Sequence, residues 1–172
     1  MTLDELNTLP DAEAFRVFVE CCHCRQWANR MALSRPFASV PALLDTAEAL
    51  WAQASREDVL EAFAGHARIG DMEALRETFS GTTGHEQGQV LEASEDTLEQ
   101  LYKLNQLYEQ RHGFIFITCA TGQSAEQMLA ALQERIDNPT ASEITNGARE
   151  QAAIIQLRLE RLLSGKGEEH DA

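Results

Sequence analysis

Only four consecutive residues in this chain, Phe114-Ile115-Phe116-Ile117, have the apolar, aromatic and β-branched character of a strand. A single strand has no partner for its backbone ladder, so the run reads as a buried extended connector whose backbone groups must be satisfied by side chains, water or a ligand. Everywhere else apolar residues recur at helical spacing. The expected fold class is therefore all-α: a single-domain multi-helix bundle over residues 1–164 with one extended connector, followed by a flexible acidic tail over 165–172.

Helix starts are written as capping signals. Thr2 with Glu5, Ser55 with Asp58 and Ser124 with Gln127 have capping-box spacing, Ser39 stands two residues before Pro41, and Ser142 opens the last apolar stripe through Ile144, Ala148, Ala152, Ile155, Leu159 and Leu162. From Asp11 the set Phe15, Phe18, Val19, Cys22, Trp27 and Met31 predicts one helix, straight or bent, running toward Arg35-Pro36. Gly65 stops the helix that begins at Ser55, Met72, Leu75 and Phe79 mark a short one, and the longest pattern runs from about Glu86 to His112-Gly113 with an interruption near Ala93-Ser94.

The formal charge of −14 argues against a nucleic-acid or anionic-membrane partner, since both surfaces demand clustered Lys and Arg. An anionic small substrate remains compatible where a nearby cation outweighs distant, salt-screened carboxylates. No apolar run is long enough to span a bilayer, and Met1 is followed by Thr-Leu-Asp-Glu, so a cytoplasmic protein is expected. Cys21-Cys22-His23-Cys24 resembles a zinc knot, but consecutive helical residues fan out around the axis; no metal site is assigned, and these cysteines and Cys119 are expected as reduced thiols.

Two glycine-punctuated turns carry titratable groups: Gly65-His66-Ala67-Arg68-Ile69-Gly70-Asp71 and Thr83-Gly84-His85-Glu86-Gln87. His66 follows a helix-ending glycine and projects from a turn, with an intrinsic pKa suited to proton transfer near neutrality. Thr83 and Glu86 match a capping box, and the same helix start favours an anion. Arg158 falls on or beside the apolar face of the last helix, where a guanidinium either snorkels to water or pairs with an anion. His23, His85, His112 and His170, taken as isolated side chains, read as surface residues.

In this order and spacing, these motifs, together with Trp27, Arg35-Pro36-Phe37, Gly113 to Ile117 and Leu157-Arg158-Leu159, resemble the OHCU decarboxylase family, which acts on 2-oxo-4-hydroxy-4-carboxy-5-ureidoimidazoline in purine catabolism. The resemblance implies an all-helical homodimer that needs no cofactor and takes a small anionic substrate. It makes His66 and Glu86 the catalytic pair. It places Ala67, Thr83, Gly84, His85, Gln87, the segment Ile117, Thr118, Cys119, Ala120 and Thr121, and Arg158 against the substrate. Two departures stand out: Ala67 replaces the family's usual proline after the histidine, freeing φ there, and Thr83 replaces a serine, keeping the hydroxyl and adding a methyl. The implied reaction is decarboxylation to (S)-allantoin with His66 as acid and base, steered by Glu86, and Arg158 orienting the anion. A helical ligand-binding module of the same fold that has lost turnover is the alternative.

Overall fold

The computed structural model describes residues 1–68, 71–79 and 94–164. Among the described residues there are nine helices and no strand, so the all-α expectation is met. Two compact units are distinguished, Met1–His66 with Asn146–Ala172, and Ala67–Thr145.

The first unit holds α1 (Leu3–Thr8), α2 (Asp11–Cys21), α3 (Arg25–Leu33), α4 (Val40–Ala52), α5 (Arg56–Ala64) and most of the final helix, Thr140–Ser164. The capping boxes at Thr2/Glu5 and Ser55/Asp58 are both formed, and the Ser39 hydroxyl accepts from the Ala42 N–H. The single helix expected from Asp11 is instead two. It breaks at Cys22, whose backbone is extended, and Cys24 N–H bonds to the Cys22 carbonyl at 2.7 Å. Neither glycine nor proline marks the break; what the chain gains is the packing of α2 on α3, with Phe18 edge-on to Trp27 at 6.0 Å and both fully or nearly buried. Two indole N–H groups tie helices through backbone carbonyls, Trp27 to Ala47 at 3.1 Å and Trp51 to Ala148 at 2.9 Å. The buried Arg35 guanidinium donates to the Leu6 and Leu9 carbonyls and pairs with Asp11, so this residue of the Arg35-Pro36-Phe37 motif serves the scaffold.

In the second unit α6 (Met72–Phe79), α7 (Glu95–His112) and α8 (Ala125–Arg135) pack around Leu75, Leu98, Leu101, Tyr108, Phe116, Met128 and Leu132. The interruption expected near Ala93-Ser94 is a helix start, with the Ser94 hydroxyl accepting from Thr97 N–H. Gly113 closes α7 in the left-handed region at φ 83°, where glycine alone is unstrained. The final helix, α9, begins at Thr140, two residues before the expected Ser142, because the Pro139 carbonyl already accepts the Glu143 N–H. His112, read from sequence as a surface residue, is buried: its ring bonds the Thr140 hydroxyl at 2.7 Å and the Ile136 carbonyl at 3.0 Å.

Candidate active site

Within the first unit, His66 is the residue after the Gly65 C-cap of α5, and its backbone N–H still bonds the Phe63 carbonyl. Gly65 has φ −78°, so it is not there for a left-handed turn. A Cβ on it would lie 2.2 Å from Cβ and 2.5 Å from Cγ of His23. The glycine thus permits the α2–α3 connection to lie directly on the turn that presents His66.

The half-buried imidazole of His66 places Nε2 2.6 Å from Oε1 of Gln151 on α9. Gln151 is completely buried, and its amide nitrogen has no hydrogen-bond partner among the described residues. An amide oxygen only accepts, so with the carboxamide turned this way the pairing favours the Nε2–H form of the neutral ring. Burial pulls the His66 pKa below its ordinary 6.5; the Gln151 bond opposes this, and the electrostatic influence of Arg158 and then His23 lowers it further. The ring is neutral at neutral pH, able to accept a proton.

Arg158 lies seven residues beyond Gln151 on α9, two turns along the same side, and is half-buried. Its Nη1 donates to the Cys21 carbonyl at 3.3 Å, at the C-terminus of α2, where a cation complements the helix dipole. His66 and Arg158, far apart in sequence, are close enough for the guanidinium to act electrostatically on the ring. Gln151 was not singled out in the sequence reading. Its signal was there, an amide three residues after Ala148 and four before Ile155, inside the apolar stripe.

Burial pushes the Cys21 thiol up to about 12 and raises those of Cys22 and Cys24 as well, so none is a ready thiolate ligand or nucleophile. The thiols are free, as expected, although the reason differs: Cys22 and Cys24 sit at the helix break rather than on consecutive helical positions. Among the described residues the one group with metal-ligand proximity is Cys24, Asp58 and Glu61, and both acids already have partners, the Ser55 N–H and Arg25.

In the second unit, Phe116 and Ile117 are buried, Thr118 and Cys119 are half-buried, and Ala120, Thr121 and Ala67 are exposed. The connector's backbone is held by a side chain: Arg135 Nη1 donates to the Ile117 carbonyl at 2.9 Å while its guanidinium lies 4.5 Å from the Phe116 ring centroid. Arg135 is itself paired with Glu143, which also accepts from the Tyr108 hydroxyl at 2.6 Å and Asn138 at 2.9 Å. Burial, and then Glu143, raise the Tyr108 pKa, so the phenol stays a donor. This network was also not anticipated. Arg68 pairs with Glu109 at 2.6 Å, and Asp71 accepts the Ala74 N–H at the start of α6. Thr83, Gly84, His85, Glu86 and Gln87 lie outside the described residues.

Residues 7–160 match the family model described as OHCU decarboxylase. The chain belongs to the OHCU decarboxylase family. Two curated relatives illustrate its span. It is 34% identical over 149 residues to the uric acid degradation bifunctional protein TTL of Arabidopsis thaliana, a match covering 85% of this chain and 46% of that one. It is 27% identical over 167 residues to the 2-oxo-4-hydroxy-4-carboxy-5-ureidoimidazoline decarboxylase of Haloferax volcanii, covering 96% of this chain and 98% of the relative. The chain thus spans less than half of the plant bifunctional protein and nearly all of the Haloferax decarboxylase. Among solved structures it resembles an OHCU decarboxylase crystallised in the presence of (S)-allantoin, with TM-score 0.71, 33% identity, and coverage of 86% of this chain and 96% of that one. A second likeness, to an (S)-allantoin synthase at 19% identity and TM-score 0.67, covers 92% of this chain and 53% of that one and bears on the fold alone.

Proposed function

We propose that this OHCU decarboxylase family member decarboxylates 2-oxo-4-hydroxy-4-carboxy-5-ureidoimidazoline to (S)-allantoin in urate degradation, with His66 as the proton-transfer group. The observation that supports the reading is the half-buried His66 imidazole, its pKa lowered by burial and by the Arg158 guanidinium and its Nε2 2.6 Å from Gln151 Oε1, inside the matched span 7–160.

The substrate carries its carboxylate on a hydroxyl-bearing carbon next to a ring C=N. As the C–C bond breaks and CO₂ leaves, the electron pair runs into that C=N, whose nitrogen takes up a proton. The resulting enol loses its hydroxyl proton as the ureido-bearing carbon gains one, so one proton is consumed overall. The ring C=N is the electron sink, which is why the reading assigns no cofactor. His66 manages these protons, with Glu86 as the second catalytic group that the resemblance assigns, and Arg158 orients the anion. Ala67, Thr83, Gly84, His85 and Gln87, with the Ile117 to Thr121 segment, hold the ring and ureido groups. The support for Glu86 and for this contact set is the family resemblance of their motifs. Protonation from one face gives the S enantiomer. A homodimer in the cytoplasm belongs to the same reading.

The test is to supply freshly generated substrate and follow the circular dichroism of the product, comparing the parent with His66→Asn. The parent should form optically active allantoin, and the variant should lose about 10²–10⁴ in rate. A variant that matched the parent would remove His66 from the mechanism, and an inactive parent would favour the ligand-binding alternative.

A further inference from the structure

We propose that Gln151 is the positioning residue of the His66 imidazole: its buried carboxamide oxygen, 2.6 Å from Nε2, fixes that nitrogen as the N–H and leaves Nδ1 as the ring's proton-accepting atom. The inference rests on the reading of His66 as the proton-transfer group.

Gln151 is completely buried on α9, so the helix backbone and its packing hold the amide in place. Its nitrogen has no hydrogen-bond partner among the described residues, while its oxygen faces His66 Nε2. A flexible exposed partner would allow both ring tautomers; a buried carboxamide with its oxygen turned to the ring selects the Nε2–H form. The amide is also neutral. A carboxylate there would select the same tautomer but favour the imidazolium, whereas the amide leaves the ring unprotonated near neutral pH. The other charged or titratable groups acting on the ring are Arg158 from α9 and His23 from the α2–α3 connection, and both lower its affinity for a proton.

The experiment is an NMR titration of the His66 ring in the free protein, in the parent and in Gln151→Leu and Gln151→Glu, with long-range ¹⁵N correlations reporting the tautomer. The parent ring should be in the Nε2–H form above its midpoint. The midpoint should be lowest in Gln151→Leu, intermediate in the parent and highest in Gln151→Glu. In turnover, Gln151→Leu should lower kcat by about ten- to a hundredfold with less effect on KM, and Gln151→Glu should carry the acidic limb of the kcat profile upward with its NMR midpoint. An Nδ1–H tautomer in the parent would overturn the assignment without any variant. So would midpoints unchanged in two variants with parental thermal melts. Because the titration needs no substrate, tautomer and midpoints behaving as stated while His66→Asn keeps full turnover would sink the catalytic reading instead.

Discussion

Arg135 holds the Ile117 carbonyl at 2.9 Å with one arm of its guanidinium and the buried Glu143 carboxylate at 2.9 Å with another edge. The planar fork makes both bonds at once and lies on Phe116, a geometry that a lysine ammonium does not reproduce. Arg135→Met leaves Glu143 without its cation and should cost about 3–5 kcal/mol. Urea denaturation should show a lower midpoint, largely recovered in Arg135→Met/Glu143→Gln. Arg135→Lys should keep more stability but release the Ile117 carbonyl, and its KM should rise if the 117–121 segment contacts substrate as proposed.

Gly65 and His23 are in conflict if either gains bulk. Gly65→Ala brings a Cβ to 2.2 Å from the His23 Cβ, an atom next to the backbone with no easy way to move. The expected loss is about 1–3 kcal/mol, with a fall in kcat because the shifted residue precedes His66. His23→Gly should restore much of both in the double variant. A double-mutant cycle checks this: purely additive losses would mean the two sites do not meet.

Gly147 sits inside α9, where alanine ordinarily adds about 1 kcal/mol of helix stability. Here its Cβ would lie 2.6 Å from the Cζ of Phe63, a ring with 0% exposure and little room to yield. Overpacking of about 1–3 kcal/mol should outweigh the helical gain, so Gly147→Ala should lower the melting temperature. Phe63→Leu in the same chain should reverse the sign of the Gly147→Ala effect.

The lowered pKa of His66 makes stability depend on pH in a definite direction. The unfolded chain takes up the proton near the ordinary 6.5, the folded chain only at a lower pH, so protonation favours unfolding in the interval between. The contribution is complete above 6.5 and is lost as pH falls through the folded value. Urea midpoints measured between about pH 7.5 and 5.5 should fall less steeply in His66→Asn than in the parent.

Local signals were legible because they are chemical and short-range. Thr2/Glu5, Ser55/Asp58 and Ser124/Gln127 all form their capping boxes, since each needs only its own first turn. Phe114 to Ile117 forms neither helix nor strand and connects α7 to α8, with Phe116 and Ile117 buried and Phe114 and Ile115 half-buried. The break at Cys22 to Cys24 was not legible, because no glycine or proline stands there and the weak helix propensity of Cys and His does not by itself end a helix; the packing of α2 on α3 rewards the bend. His112 reads as polar until Thr140 and Ile136 arrive to bond both ring nitrogens.

By itself the sequence determined the helical class, most helix boundaries and the presence of His66 in a turn, because periodicity, capping and glycine punctuation act within a few residues. It also carried the family membership, through motifs spread over 7–160. Only the tertiary structure decided what each of these groups meets: that Gln151, 85 positions away, takes the His66 proton-bearing nitrogen, that Arg158 faces the end of α2, and that Gly65 makes room for His23. Tautomer, charge state and close approach depend on distances across the core, and no local pattern in a chain encodes those.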